Sequence, residues 1–383
     1  MTNLERFARI EHFLRPWLSK LPPKTAAQIF SRGRTWFSHK LEQEKSAHIT
    51  HSHTPLRAWN LTFAFPLWNA AGMFKEGNGY HVMAGQGAGA YVAGTTTATP
   101  RNGNVKNGIM WPTVPYASSK SASNWMGLPN PGHTVVATKL SRIERVPNVP
   151  IGASVSADPG ADDEQAVHGI LSGLNAYSLA KVDYIEINES CPNVPHAHSG
   201  AIDTALMQRL EIISDKFLKV RHRPLPVVVK FSNDLDPQQL PNLLRALVDL
   251  KYDGIILGNT STRYNFHRQA ITQADRVLYD MFTGTFGGGL SGAVLKQSSL
   301  GLTTQAQQLL SSMNVSHEFH VVRCGGIQNG TDVVESMKQG VLLHQWYTGY
   351  YEMFATSGHS TYQRMSELVA EFLIESKRTV TLS

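Results

Sequence analysis

Residues 188–195 read NESCPNVP. A lone thiol, Cys191, stands between the carboxamides of Asn188 and Asn193, and prolines close the stretch. Such a run suits neither a helix nor the interior of a buried strand. On a polar turn a thiol can serve as base or nucleophile; an inert thiol is the plain alternative. Carboxamides offer donors and acceptors together, the complement of a planar ligand with alternating C=O and N–H groups. Asn124 and Asn259 add two more, although singly each is an ordinary turn residue. Lys230 ends the apolar run PVVVKF (226–231), where an ammonium needs an anionic partner or a path to water. Lys75, after NAAGMF, reads on its own as a surface lysine. CGGIQNG (324–330), followed by YTG (347–349), supplies glycines whose N–H groups can approach a phosphate at a helix start. A plain tight turn is the alternative there. No Cys/His spacing suits zinc, so no metal is expected, and no GxSxG, P-loop or paired-carboxylate signature occurs.

Positioning these groups requires strand ends. Eight short apolar runs recur from about residue 60: 66–70, 90–94, 150–154, 183–188, 226–231, 254–259, 319–324 and 342–347. Most are β-branched or aromatic and bounded by Gly, Pro, Asn or Asp. Helix-period stretches follow several of them, at 163–178, 203–222, 237–250, 300–313, 331–339 and 361–377. Eight such units predict an α/β fold, a (β/α)8 TIM barrel, with a doubly wound open sheet as the alternative. Two intervals, 95–131 and 260–299, are too long for simple connections; they read as site-building loops or as mobile insertions. Ahead of the barrel, Phe7, Ile10, Phe13, Leu14, Trp17 and Leu18 share one helical face. LPPK breaks that pattern, and Ala26, Ile29, Phe30 and Phe37 mark a second helix weakened by Gly33. The division expected is a helical hairpin over 1–45 and a catalytic barrel over 46–383.

Charge separates the same two parts. The chain carries +6, and residues 1–45 hold nine basic and four acidic residues, a net +5 on a body close to neutral. A basic end of this kind is an attachment surface, not a nucleic-acid-binding protein. Apolar residues at 42% and charged residues at 17% fit a globular chain with a large core. Two distant cysteines make no disulfide framework, which points to a reducing compartment. No run approaches the length of a membrane span, and no signal-peptide pattern opens the chain.

NAAGMFKEG, GTTTATPRNGN, SNWMGLPNPG, DYIEINESCPNVP, VVVKFSND, GIILGNTST, GGGLSGAVL and RCGGIQNG…WYTG occur in this order over residues 60–350. Together they resemble the dihydroorotate dehydrogenases, most specifically in N-x-S-[CS]-P-N and GGLSG. The resemblance implies an FMN-containing barrel that oxidises dihydroorotate to orotate in pyrimidine biosynthesis. It implies flavin contacts at Ala70, Ala71, Gly72, Met73, Phe74, Thr95, Ser154, Asn188, Lys230, Gly258, Gly292, Gly326, Tyr347 and Thr348. It implies substrate contacts at Lys75, Asn124, Trp125, Met126, Gly127, Leu128, Asn188, Asn193, Asn259 and Thr260. Cys191 falls on the base that removes the C5 proton while hydride leaves C6 for the flavin.

The sequence mixes two branches of that family. The hairpin, GNTS and GGGLSG are similar to the membrane-bound, quinone-reducing members. Cys191 as base, Ser154 on the third strand and Leu128 are similar to the soluble ones. VKNGIMWPTVP (105–115) lacks the arginines of the quinone branch. The expectation is electron transfer to membrane quinone from a peripheral position on the cytoplasmic face of a bacterial inner membrane. Fumarate or a partner protein as acceptor, and another pyrimidine as substrate, are the alternatives.

Overall fold

The structure is a computed structural model that describes residues 1–44, 49, 51, 55–190, 202–367 and 369–370. The eight apolar runs form eight parallel strands: β1 (Leu67–Asn69), β2 (Tyr91–Thr96), β3 (Ile151–Val155), β4 (Tyr184–Asn188), β5 (Val227–Phe231), β6 (Gly254–Leu257), β7 (His320–Cys324) and β8 (Leu343–Trp346). Their ladder runs β2-β3-β4-β5-β6-β7-β8-β1. Between β1 and β2 the ring closes largely through a side chain. Asn69 Nδ2 donates to Val92 O at 2.7 Å and its Oδ1 accepts from Val92 N at 3.3 Å, while Gly89 N donates to Leu67 O at 3.0 Å. A carboxamide imitates a peptide group, so Asn69 supplies the rung that the short β1 lacks. This is a (β/α)8 barrel and not an open doubly wound sheet.

Helices at Asp163–Leu179, Thr204–Ile213, Leu240–Asp249, Lys296–Ser311 and Gly330–Lys338 follow the sequence periodicity. The 203–222 stretch ends in a π-helical turn, Ser214–Leu218. Residues 361–367 are helical, while most of the rest of 361–377 lies outside the described residues. The periodicity missed Thr348–Ser357, whose sequence TGYYEMFATS is aromatic-rich and has no polar start signal.

The two long intervals are built structure and meet each other. Thr113–Tyr116 and Ser121–Asn124 form a hairpin, and Gly289–Gly292 adds to it antiparallel, with Gly289 opposite Asn124. On this sheet rests a second core containing Phe30, Tyr116, Leu278, Phe282 and Leu290.

The N-terminal hairpin consists of α1 (Asn3–Leu18) and α2 (Pro23–Leu41). Thr2 and Glu5 cap α1 reciprocally. Its inner face buries Leu4, Ala8 and Arg15, the last paired with Glu11 and Glu352. α2 buries Ala26, Ala27, Phe30, Phe37 and Leu41, and its Ser31 Oγ accepts from Thr113 N at 2.9 Å. The predicted apolar face of α1 is divided: Phe13 and Trp17 are 67% and 55% exposed, while Phe7, Ile10, Leu14 and Leu18 line a cavity between the hairpin and the barrel. Among the described residues no helix is long and apolar enough to cross a membrane.

Candidate active site

A cavity of about 940 Å³, open mouth included, lies at the C-terminal ends of the strands, the end of such barrels that carries active sites. Its wall contains Ala70, Ala71, Gly72 and Lys75 from the loop after β1, and Thr95 from β2. Asn124, Met126 and Leu128 come from the first long insertion; Asn188 comes from β4, Asn259 and Thr260 from the loop after β6, and Gly292 from the second insertion. Gly326, Tyr347 and Thr348 complete the set of expected residues that line it. Leu128 holds a left-handed φ of 54° and Gly127 one of 75°, a turn conformation that only glycine adopts without strain.

Other expected residues stand behind the wall. Met73 and Phe74 are core. Ser154 Oγ is 2.9 Å from Thr95 Oγ1. Gly127 O accepts from Arg101 Nε at 3.2 Å. Trp125 packs toward Phe286 in the second core, with Lys106 Nζ 5.9 Å from its ring centre. Gly258 sits where a Cβ would meet Cys324 O at 1.7 Å, so no other residue fits there. Cys191 and Asn193 lie outside the described residues. Ser291, Cys324, Gln328 and Gly349, which sequence reasoning reached only as members of GGGLSG, CGGIQNG and YTG, also line the cavity.

The amides are mutually ordered. Asn188 Nδ2 donates to Thr95 Oγ1 at 3.2 Å, and its Oδ1 accepts from Ser190 N at 3.3 Å and Asn259 Nδ2 at 3.4 Å. Asn259 Nδ2 also reaches Ser190 Oγ at 3.1 Å. Thr260 Oγ1 is buried with no partner among the described residues. A polar atom left so is costly until a ligand meets it.

The phosphate signal resolves into one helix start. Helix Gly330–Lys338 is capped by Asn329 and Asp332, whose side chains accept from the N–H groups of Asp332, Gln328 and Asn329. Helix Thr348–Ser357 carries no side-chain cap. Its opening residues Thr348 and Gly349 face the cavity together with Gly325, Gly326 and Ser291, a donor set suited to a phosphate.

Lys230 is buried at the end of β5, with Nζ donating to Gln345 Oε1 at 3.1 Å. The Gln345 amide donates in turn to Glu186 Oε1. Glu186 has no exposure, and its Oε2 has no partner among the described residues. Burial pushes this carboxyl up, while Lys230 and Gln345 draw it down; the net direction is upward. Burial likewise raises the Cys324 thiol, against the pull of Lys230.

A second cavity, about 1260 Å³ with its mouth, runs between the hairpin and the barrel. Phe7, Ile10, Leu14, Ile29, Phe30 and Phe37 make it apolar, and it ends on Tyr347 and Thr348, which also line the first cavity. Arg34 of α2 stands at that junction. Its guanidinium carbon lies 3.1 Å over the Tyr351 ring centre and 5.0 Å from that of Tyr347. Both terminal nitrogens are buried without a hydrogen-bond partner among the described residues. Burial works to raise the Tyr347 phenol, but Arg34 and Lys75 outweigh it and the net shift is downward.

Residues 55–367 match the family described as dihydroorotate dehydrogenase. A dihydroorotate dehydrogenase (quinone) of Arthrobacter sp. (strain FB24) is 30% identical over 76% of this chain and 79% of its own length. Another of that description, from Coxiella burnetii (strain RSA 331 / Henzerling II), is 27% identical over 89% of this chain and 92% of its own. Among solved structures, ligand-free DHODH from Eimeria tenella superposes with a TM-score of 0.73 at 20% identity, over 91% of this chain and 95% of that one. That last likeness concerns the fold.

Proposed function

We propose that this chain, which belongs to the dihydroorotate dehydrogenase family, oxidises dihydroorotate to orotate with bound FMN, as a step of pyrimidine synthesis, and passes the electrons to a quinone. The observation that carries this reading is the meeting of two cavities of different character at Tyr347 and Thr348. One is of mixed polarity and amide-lined, fit for a pyrimidine and a phosphate-bearing cofactor. The other is apolar, fit for a hydrophobic acceptor.

The residues present suit FMN: the uncapped start of helix Thr348–Ser357 with Gly325, Gly326 and Ser291 for the phosphate, and Lys230 for charge on the ring system. When bound, FMN supplies the two-electron acceptor that amino-acid side chains lack. Asn188, Asn259 and Thr260 hold the substrate ring by its amide edges, and Lys75, lining the same wall, attracts the substrate carboxylate. Cys191 takes the C5 proton, in line with the motif that carries it. The Asn188 amide, held by Thr95 and Asn259, keeps the ring from turning during that transfer.

Quinone as the acceptor rests on the apolar cavity and on the quinone-dependent description of the relatives. Arg34 supplies N–H donors for a quinone carbonyl at its inner end. The exposed face of α1 and the basic charge of residues 1–45 fit a peripheral hold on an anionic membrane, on the cytoplasmic face of a bacterial cell.

The test is anaerobic addition of dihydroorotate to the purified protein, followed by turnover with ubiquinone, menaquinone, fumarate and NAD in parallel. A yellow protein bleached by dihydroorotate, with quinone the fastest acceptor, is the expected result. A colourless protein that takes up no FMN, or preference for fumarate, overturns the cofactor or the acceptor respectively.

A further inference from the structure

Barrel interiors are normally filled by layers of branched apolar side chains. Here one layer holds a carboxylic acid. Side chains alternate along a strand, so Tyr184, Glu186 and Asn188 share one face of β4, and Asn188 lines the cavity. Glu186 therefore sits one pleat deeper than the residue that meets ligand. Its contact, Gln345, comes from β8, on the far side of the ring, so both side chains point into the barrel.

Gln345 bridges two unlike groups. An amide has a donor end and an acceptor end. Lys230 Nζ can only donate, so it fixes the carbonyl of Gln345 toward itself, 3.1 Å away, and the NH2 toward Glu186. The result is an ammonium and a carboxyl held apart by one oriented dipole. Cys324, whose thiol feels both charges, and Tyr184 complete the titratable groups around the carboxyl. A buried ammonium without an opposite charge is severely penalised, as is a buried carboxylate with one oxygen unpartnered. Each group relieves the other.

Resting on the reading of the cavity as an FMN site, we propose that Glu186 is a positioning residue whose carboxylate is the counter-charge of Lys230 and thereby sets the reduction potential of the bound flavin. The ammonium of Lys230 favours the more negative, reduced ring system. Glu186 offsets part of that charge and holds the potential lower than Lys230 alone would set it. Removal of the carboxylate charge leaves Lys230 uncompensated and raises the potential.

The experiment is dye-equilibrated reductive titration of the full-length, FMN-loaded protein, comparing wild type with Glu186→Gln and Glu186→Met. Glutamine keeps the shape, and methionine fills the site with neither charge nor hydrogen-bonding group; each leaves the buried Lys230 charge uncompensated. Both variants are expected to favour reduced over oxidised flavin about tenfold more than wild type, an upward shift of about 30 mV for a two-electron couple. A purely structural Glu186 would change melting temperature and leave the potential in place. An unchanged or lowered potential in flavin-loaded Glu186→Gln overturns the proposal, as does loss of FMN by both variants. A wild-type protein that binds no FMN would instead overturn the functional reading on which it rests.

Discussion

At the scale of single residues, the reaction divides among groups with separable signatures. Cys191 is assigned the C5 proton and no flavin contact, so Cys191→Ala is expected to stay yellow. Bleaching of that flavin by dihydroorotate should slow by about 10²–10⁴-fold, the usual worth of a placed base, and Cys191→Ser should recover part of it. Reduction of the alanine variant within a few-fold of wild type would remove the thiol from that role. Arg34 belongs to the other half-reaction. A hydrogen bond from a buried charged donor is worth about 1.5–3 kcal/mol, so Arg34→Ala should raise the quinone KM roughly 10- to 100-fold and leave bleaching by dihydroorotate intact. Equal quinone KM values would place Arg34 outside the acceptor site. Sequence reasoning reached Asn188 and Lys230 because polar groups at the ends of apolar runs stand out. It passed over Arg34, one of nine basic residues in 1–45, since nothing local separates a buried guanidinium from a solvated one. Glu186 and Gln345 were readable in principle from the two-residue period of DYIEIN and LLHQWY, but alternation shows a face and not what waits across the barrel.

At the scale of elements, the hairpin carries the largest consequence. α2 is part of the second core through Ala26, Ala27 and Phe30, so cutting away residues 1–45 would uncover apolar surface and confuse docking with stability. α1 offers a cleaner test, because Ile10, Phe13 and Trp17 are already exposed. Glutamate at Phe13 and Trp17 together should abolish binding to anionic liposomes and slow turnover with long-chain quinone. Soluble-dye turnover should persist, and stability should change by about 0.5 kcal/mol or less per site, as for other surface substitutions. Undiminished liposome binding would dismiss α1 as the membrane face. Most strands were legible because they are short apolar runs, as strands buried on both faces are. The sheet that joins Ser121–Asn124 to Gly289–Gly292 was not, since pairing across such a separation leaves no local pattern. The same holds for helix Thr348–Ser357, which starts without the cap that sequence rules look for. That missing cap is what leaves its first N–H groups available to a phosphate.

At the scale of the whole molecule, two buried histidines tie stability to pH. His133 Nδ1 lies 2.7 Å from Thr96 Oγ1 and its Nε2 lies 3.1 Å from Gly169 O, joining β2 to helix Asp163–Leu179. His344 Nδ1 lies 2.9 Å from Pro66 O, joining β8 to the entry of β1. Burial lowers the first to about 4 and the second to about 3, so both are neutral in the folded chain at physiological pH. In the unfolded chain they titrate near 6.5. Below that pH the unfolded state binds protons that the folded state refuses, so the stability they contribute is complete above 6.5. It is lost as the pH falls toward 4 for His133 and toward 3 for His344. At pH 5 the loss is about 2 kcal/mol per histidine. Glu42 and Glu186, raised by burial, act in the opposite sense and reduce the slope. The urea midpoint should therefore be lower at pH 5 than at pH 7.5. In His344→Asn the amide nitrogen can still donate to Pro66 O but nothing titrates, so its midpoint should fall less over the same interval. Parallel curves for the variant and wild type would falsify the assignment of His344 as a neutral, proton-excluding strut of the barrel.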